Sequence, residues 1–320
     1  MSSKWRSVDI PDLPGMAAIV TGANSGIGFE VAKSLASKEA NVILACRNGE
    51  KGQRAVDEIR GANPSAKVKL MLLDLSDLAS IRDFAGEYRA RCDRLDILIN
   101  NAGIMMTPFG RTTDGFELQF GTNHLGPFAL TGRLLDRILQ TPGARVVAVS
   151  SNGHHVGRID FDNLNAERDY NRIAAYTQSK LANLLFIYEL QRRFTTNGVD
   201  ALAVAAHPGW TATNLQAHTW YFRVLNPLLG QKPAMGALPI LYAATAPDVK
   251  GGGYYGPGGW REWRGYPKEV KSSERSHAAD VAAELWEMSE RLTERRRGPP
   301  DHPGSSQHVR VRRRDAGMNR

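Results

Sequence analysis

Residues 21–28 are Thr21-Gly22-Ala23-Asn24-Ser25-Gly26-Ile27-Gly28, a glycine-rich loop between an apolar run and a segment of helical length. In a strand–turn–helix unit, Gly22 permits a tight turn, Gly26 lets the backbone approach a phosphate, and Gly28 lets the helix pack closely on the strand. The first N–H groups of the helix then face the phosphate with the positive end of the helix dipole. A purely structural turn is the alternative. The context favours a dinucleotide site formed by Gly22, Asn24, Ser25, Gly26, Ile27 and Gly28.

Short apolar runs alternate with helix-length segments along the rest of the chain. The predicted strands are Met16–Thr21, Asn41–Cys46, Val68–Asp74, Leu95–Asn100, Arg145–Ser150, Val199–Ala206 and Gly253–Gly256. The predicted helices are Ile27–Lys38, Glu50–Arg60, Leu78–Cys92, one long helix within Gly115–Gln140, Tyr176–Thr196 and Ala279–Arg295. Strands separated by helices form right-handed βαβ units. We therefore expect an α/β fold: a single Rossmann-type, doubly wound parallel sheet of about seven strands with helices on both faces.

The chain divides into three regions. We expect an N-terminal extension over residues 1–13, one Rossmann-fold domain over residues 14–297, and a basic, disordered tail over residues 298–320. Within the domain, the segment Pro208–Pro233 is long, aromatic and aperiodic, which is typical of a functional loop. We place a lid over about residues 209–233.

The charge of the chain lies mostly in its tail. The formal net charge is +8 over 320 residues, but residues 291–320 hold nine arginines against three acidic residues. The preceding residues carry 32 basic and 30 acidic groups, so a broad nucleic-acid-binding face is not expected, although binding by the tail is an alternative. Two cysteines are too few for a disulfide framework, and His154 and His155 lack a third metal ligand. Without an apolar run of about 18 residues, we expect no transmembrane segment and a cytoplasmic protein.

Arg47 stands at the end of the second predicted strand, 19 residues beyond Gly28. An acidic residue near this position would bind the ribose hydroxyls of NAD, whereas an arginine suits the 2′-phosphate of NADP. NADP(H) is therefore the expected cofactor, in preference to NAD(H). The alternative is a solvated arginine that opens a helix. The glycine loop itself carries Asn24 and Ser25 and supplies no second positive charge for a phosphate.

Tyr176 and Lys180 are four residues apart and share one face of a predicted helix. Reduction of a carbonyl requires a proton donor at its oxygen, and oxidation of an alcohol requires a base there. A tyrosine with a pKa of about 10 is a poor base at pH 7. A neighbouring ammonium favours the phenolate, so we expect Lys180 to lower the pKa of Tyr176.

These residues together resemble the short-chain dehydrogenase/reductase family. The spacing Gly-x3-Gly-x-Gly is the family's glycine pattern, and its catalytic tetrad is matched by Asn123, Ser151, Tyr176 and Lys180. The resemblance implies that Tyr176 is the acid/base, that Ser151 donates a hydrogen bond to the substrate oxygen, and that Lys180 also holds the ribose. It further implies that Asn123 anchors a water linking Lys180 to solvent. Ser151 is preferred to Ser150, which strand alternation places on the opposite face.

Three more segments carry the resemblance: Asp74-Leu75, Asn100-Asn101-Ala102-Gly103 and Pro208-Gly209-Trp210-Thr211-Ala212-Thr213. In the family they contact the adenine, line the cofactor site and lie beside the nicotinamide. The cofactor-binding residues implied here are Asp74, Leu75, Asn101, Ala102, Gly103, Pro208, Gly209, Thr211 and Thr213, in addition to Tyr176 and Lys180. The runs Ala-Cys-Arg-Asn and Ser-Lys-Leu-Ala-Asn are most similar to the retinol-dehydrogenase-like branch, which includes relatives of WW-domain oxidoreductases.

The implied activity is hydride transfer between NADP(H) and a lipophilic alcohol, aldehyde or ketone. The lid region and its surroundings supply aromatic and aliphatic side chains, as apolar substrate pockets require. They are Trp210, Trp220, Tyr221, Phe222, Leu225, Leu228, Leu229, Trp260 and Trp263. Packing or an oligomer interface is an alternative role for them. A homo-oligomer stays open, because members of the family are often dimers or tetramers, whereas this branch includes monomers. A catalytically idle protein that senses NADP(H) or binds a partner is the alternative function.

Overall fold

The computed structural model describes residues 4–211 and 230–294. Within those ranges, eight strands form one sheet in the order β3-β2-β1-β4-β5-β6-β7-β8. They are β1 (Ala17–Thr21), β2 (Asn41–Cys46), β3 (Val68–Leu72), β4 (Ile97–Asn100), β5 (Ala144–Val149), β6 (Ala201–Ala206), β7 (Tyr254–Pro257) and β8 (Pro267–Glu269). All neighbouring strands are parallel except β7 and β8. The predicted doubly wound sheet is confirmed. β8 was not predicted, because Pro-Lys-Glu is too short and polar to give an apolar run.

The helices differ from the predicted ones in three places. They are α1 (Gly26–Ala36), α2 (Gly49–Ala62), α3 (Leu78–Arg91), α4 (Leu118–Phe120), α5 (Gly126–Arg133), α6 (Leu135–Leu139), α7 (Arg172–Thr196), α8 (Pro233–Thr245) and α9 (Ala279–Glu294). The long helix predicted within residues 115–140 is broken by a π-helical turn at Gly121–Leu125 and again at Leu134. α7 starts four residues early because Asn171 caps it, and α8 was missed because Pro239 lies inside it.

The helices cover both faces of the sheet. α1, α2 and α8 pack on one face, where Val20, Val147 and Val204 lie among their side chains. α3, α5 and α7 pack on the other face, against Leu98 and Val146. Because these strands are buried on both faces, they give the continuous apolar runs seen in the sequence.

The C-terminal helix α9 lies on the outer surface of α7. Leu181 and Leu185 of α7 are buried in one cluster with Leu285 of α9. The ring centroid of Trp286 lies 5.9 Å from that of Phe186, and the Arg193 guanidinium lies 4.1 Å from the Trp286 centroid. α7 is therefore enclosed between the sheet and α9, which explains the burial of its residues 175–190.

The N-terminal residues 4–16 pack against the domain. Ile10 and Leu13 are buried in the main core, and Trp5 makes an edge-to-face contact with Tyr242 of α8. Across residues 4–211 and 230–294, the helices are all too short or too polar to span a bilayer.

The strand order reverses between β1 and β4, which are neighbours in the sheet although β2 and β3 separate them in the chain. In a doubly wound sheet, a crevice opens at the carboxyl ends of the strands beside such a reversal. The loops after β1, β4, β5 and β6 all meet there. The topology thus gathers most of the predicted site residues at one edge.

Candidate active site

A cleft of about 800 Å³ opens at this edge of the sheet. Its lining includes every described residue that the sequence predicted to bind cofactor, together with Ser151, Tyr176 and Lys180. Asn123 does not line the cleft and lies behind it. Thr213, most of the predicted lid and the predicted tail fall outside the described residues.

The loop after β1 is shaped for a closely approaching ligand. Gly22 and Gly26 have φ angles of +66° and +59°, a region that side-chain-bearing residues rarely adopt. A Cβ atom at Gly28 would lie 2.5 Å from the carbonyl oxygen of Gly22, so only glycine fits there. Ser25 is extended and α1 begins at Gly26, and the first N–H groups of a helix have no intrahelical acceptor. Such a cradle suits a pyrophosphate.

Asn101 ties the ends of β4 and β1 together. Its Nδ2 donates a hydrogen bond to the carbonyl oxygen of Thr21 at 2.8 Å. In return, Thr21 Oγ1 accepts hydrogen bonds from the backbone N–H groups of Asn101 and Ala102 at 3.0 and 2.9 Å. Ala102 consequently lies against Gly22. A Cβ atom added at Gly22 would be 3.0 Å from the Ala102 side chain. The Asn-Asn-Ala-Gly segment therefore shapes the floor of the cleft.

Two cationic side chains line the outer end of the cleft. Arg47 is 73% exposed, and its Nε lies 4.0 Å from Asp74 Oδ2, a long ion pair in solvent. Asp74 Oδ1 is held by the backbone N–H and hydroxyl of Ser76. Lys51, which the sequence analysis missed, lies in the first turn of α2, where Asn48 caps the helix. Its position four residues after Arg47 is the feature of the sequence that could have identified it as a second cation of the site.

The Ser151 hydroxyl and the Tyr176 ring lie side by side, since a Cβ atom added at Gly153 would be 3.6 Å from Ser151 Oγ and 3.4 Å from the Tyr176 ring. Ser151 Oγ also accepts a hydrogen bond from the backbone N–H of Gly153 at 3.2 Å, which leaves the serine proton available for another acceptor. Ser150 points elsewhere, since its hydroxyl donates to the carbonyl oxygen of Lys180 at 2.8 Å. Of the two serines, Ser151 is the one beside the phenol, as the sequence analysis expected.

Lys180 is buried, and its ammonium is fixed by the backbone. Its Nζ donates to the carbonyl oxygen of Val149 at 3.0 Å and lies 5.9 Å from the centroid of the Tyr176 ring. Burial lowers the pKa of Lys180 to about 8. The amine is therefore mainly, but not wholly, protonated at neutral pH.

Burial raises the pKa of Tyr176, although its hydrogen bond with Ser151 acts in the opposite direction. The expectation that Lys180 lowers this pKa is not met by the protein groups, because desolvation of the phenolate outweighs them. Tyr176 is consequently a neutral phenol at pH 7, the form that donates a proton.

Asn123 lies in the π-helical turn and is completely buried. Its Oδ1 accepts from the backbone N–H of Ile104 at 2.8 Å, and its Nδ2 donates to Ile104 O and Ser179 Oγ. Gly103 separates it from Lys180: a Cβ there would lie 3.1 Å from Asn123 Oδ1 and 3.5 Å from Lys180 Nζ. Asn123 thus orders the loop beside the lysine. Its water relay stays a prediction.

The inner end of the cleft is largely apolar. Trp210 and Trp263, whose ring centroids are 5.4 Å apart, form one wall beside Pro208 and Gly209. The sequence analysis missed the opposing residues Met105, Met106, Val156 and Ile173. Trp260 contacts Trp263 but is exposed outside the lining. Trp220, Tyr221, Phe222, Leu225, Leu228 and Leu229 lie outside the described residues.

Of the two adjacent histidines, His154 has a structural role. His154 is buried, and its ring nitrogens lie 2.7 Å from Ser151 O and 3.1 Å from the backbone nitrogen of Ser273. Among residues 4–211 and 230–294, there is no cluster of three side chains able to hold a metal ion.

Comparisons with known proteins agree with this geometry. Residues 16–221 match the family model described as short chain dehydrogenase. The chain is 46% identical to human (Homo sapiens) retinol dehydrogenase 11 over 74% of this chain and 75% of that protein. It is 39% identical to human polyprenol dehydrogenase over 88% and 86% of the two chains. A crystal structure of an uncharacterized protein from Mycobacterium Paratuberculosis is 42% identical, with a TM-score of 0.78 over 91% of this chain and 98% of that one.

Proposed function

Since the chain belongs to the short-chain dehydrogenase family, in its retinol-dehydrogenase-like branch, we propose that it is an NADP(H)-dependent oxidoreductase acting on a lipophilic alcohol/carbonyl pair. The observation that carries the proposal is the neighbouring pair Ser151–Tyr176, which lies with Lys180 in the same cleft as the glycine loop. The pair supplies a proton at the end of the cleft opposite the phosphate cradle.

The protein groups fit a phosphorylated dinucleotide. Gly22 and Gly28 pack so tightly on Ala102 and on the Gly22 carbonyl that a Cβ atom at either position would crowd its neighbours, and Gly26 has a positive φ. The start of α1 offers N–H groups to the pyrophosphate. Arg47 and Lys51 supply positive charge for a 2′-phosphate, which arginine binds in a bidentate manner. When bound, NADPH supplies the hydride.

Each catalytic side chain has a role that follows from its surroundings. Ser151 donates a hydrogen bond from its hydroxyl to the substrate oxygen, which orients the carbonyl towards Tyr176. Tyr176 donates its proton as negative charge develops on that oxygen, and takes it back in alcohol oxidation. Lys180 holds positive charge beneath the ring, which favours the phenolate that remains. The apolar walls exclude water from the reacting atoms.

The substrate class rests on the inner end of the cleft. Its walls are Met105, Val156, Ile173, Trp210 and Trp263, which present apolar surface with few polar groups besides Ser151 and Tyr176. Such a lining favours apolar ligands with one oriented polar group. Two relatives carry the names of lipophilic alcohols, retinol and polyprenol. A long-chain or polyene alcohol or aldehyde is therefore the proposed substrate.

The test is a screen of NADPH oxidation with aldehydes of increasing chain length, repeated with NADH. We expect kcat/KM to rise by about 10-fold for every two buried methylene groups, since each contributes about 0.8 kcal/mol. Turnover confined to small polar carbonyls would contradict the substrate class. NADPH binding without any turnover would favour the idle, NADP(H)-sensing alternative.

The two reaction directions should depend on pH with opposite sign. Because the pKa of Tyr176 is raised, the phenolate is a minor form near neutrality and grows about 10-fold per pH unit. We expect kcat/KM for alcohol oxidation to rise from pH 6 to 8, then more slowly as Lys180 loses its charge above about pH 8. The kcat/KM for carbonyl reduction should stay level near neutral pH and decline at higher pH, where Lys180 and Tyr176 lose their protons. Initial rates at constant ionic strength measure both, and oxidation that falls between pH 6 and 8 would contradict the role of Tyr176.

A further inference from the structure

His207 ends β6 and immediately precedes the cleft-lining segment Pro208–Thr211. Its side chain is completely buried, yet both ring nitrogens have partners. Nδ1 accepts a hydrogen bond from the backbone N–H of Gly209 at 3.3 Å, so the ring proton is on Nε2, which lies 3.1 Å from Glu262 Oε2. Burial lowers the pKa of His207, and the contact with His207 lowers that of Glu262. A neutral imidazole therefore donates to a carboxylate.

Glu262 belongs to the turn of residues 258–266, which lies between β7 and β8. Arg261 and Glu262 have φ angles of +51° and +57°, which residues with side chains adopt only when their surroundings hold them. The turn is closed by a hydrogen bond from the N–H of Gly258 to the oxygen of Tyr266 at 2.7 Å. The bond to His207 is a side-chain contact that holds this strained turn against the body of the protein.

The 258–266 turn is in direct backbone contact with the cleft-lining segment. The N–H of Trp210 donates to the oxygen of Trp263 at 2.8 Å. Gly209 has a φ of +64°, and a Cβ there would lie 2.5 Å from Trp263 O and 2.9 Å from Glu262 O. Movement of the turn would therefore move both Pro208–Thr211 and the indole of Trp263, which together form one wall of the cleft.

We propose that His207 and Glu262 are a positioning pair that fixes this wall, and thereby fixes the nicotinamide end of the cofactor relative to Tyr176. The proposal rests on the proposed function, because the resemblance to the family places the Pro-Gly segment beside the nicotinamide. Neither residue lines the cleft, so both act through the backbone of the 208–211 segment and the 258–266 turn.

The test compares two ligands on the variant Glu262→Ala. NADPH reaches both ends of the cleft, whereas 2′-phospho-ADP-ribose lacks the nicotinamide and reports only the outer end. We expect the affinity for NADPH, measured by fluorescence titration, to fall about 10-fold, the size of one charge-assisted hydrogen bond's contribution. The affinity for 2′-phospho-ADP-ribose should change less than about twofold.

Two matched variants complete the experiment. Glu262→Gln keeps an oxygen that accepts from His207 Nε2 and should restore most of the NADPH affinity. Glu269→Ala removes an exposed carboxylate from β8 nearby and should change neither affinity. Because Glu262 is partly exposed on a turn, we expect the melting temperature of Glu262→Ala to fall by no more than about 4 °C.

The outcomes separate the two proposals. If Glu262→Ala lowered the affinities for NADPH and for 2′-phospho-ADP-ribose equally, or left the NADPH affinity unchanged, the positioning role would be overturned. The oxidoreductase proposal would stay intact. Failure of the unmodified protein to bind NADPH would overturn the proposed function, and the positioning role with it.

Discussion

Replacing Tyr176 by phenylalanine is expected to lower kcat for carbonyl reduction by about 10³-fold, the middle of the range for a positioned general acid. The phenol is buried in the cleft beside Ser151, and because its pKa is raised it is neutral near pH 7. Phenylalanine keeps the ring and its packing and removes only the proton donor. NADPH affinity should therefore change little, and the loss should appear in single-turnover rates as well as in kcat.

A control for this variant lies on the same helix. Tyr188 is also buried in α7, but its hydroxyl bonds to Ser272 and it does not line the cleft. Tyr188→Phe should retain activity within about twofold, although it loses a buried hydrogen bond of about 1 kcal/mol. If Tyr176→Phe turned over carbonyl substrate as fast as Tyr188→Phe, the acid/base assignment would be wrong.

Replacing Arg47 by alanine should reduce the preference for NADPH over NADH by about 10- to 30-fold. A hydrogen bond to a charged group contributes about 1.5–3 kcal/mol, and the lower part of that range applies because Arg47 is largely exposed. The effect should appear as a higher KM for NADPH, with the KM for NADH unchanged. Ratios of kcat/KM for the two cofactors measure it directly.

Arg54→Ala provides a charge-matched comparison, since Arg54 is exposed on α2 and outside the cleft. It should leave both KM values unchanged. Lys51→Ala should produce a smaller loss than Arg47→Ala, because an ammonium is a point charge without bidentate geometry. An Arg47→Ala protein that still prefers NADPH as strongly as the unmodified chain would contradict the assignment of the 2′-phosphate site.

The sheet was predictable because burial on both faces leaves apolar runs that sequence displays directly. These runs predicted the strands β1 to β7, and the helix-length segments predicted the helices α1, α2, α3 and α9. The π-helical turn at Gly121–Leu125 was not, because its hydrogen-bond register depends on Asn123 pairing with Ile104 across the cleft floor. Such a contact joins two loops and leaves no periodicity. The positive φ angles of Arg261 and Glu262 could not be predicted either, because they too depend on contacts between segments that are distant in the chain.

Some residues of the candidate site could likewise be predicted from the sequence, and others could not. Residues in fixed motifs, such as the glycine loop and the Tyr176–Lys180 pair, could be located from spacing alone, and the structure places them in one cleft. Met105 and Ile173 escaped detection because they belong to no fixed motif and reach the cleft only through the packing of distant segments, and Lys51 was missed although it lies four residues after Arg47. The pKa of Tyr176 was expected to fall, and burial reverses its direction in the protein. Motifs identify side chains, whereas desolvation depends on the complete fold.

The position of α9 has a consequence for how the protein is made. α9 is the last described element in the chain, yet it covers the outer surface of α7, which carries Tyr176 and Lys180. During synthesis, Leu181, Leu185 and Phe186 lack the cover of Leu285 and Trp286 until residues 279–294 have left the ribosome. Contacts between such distant segments delay folding, and exposed apolar surface invites aggregation meanwhile. The helix that carries Tyr176 and Lys180 thus completes its packing only after α9 has been made, and nascent chains halted before α9 should require chaperones.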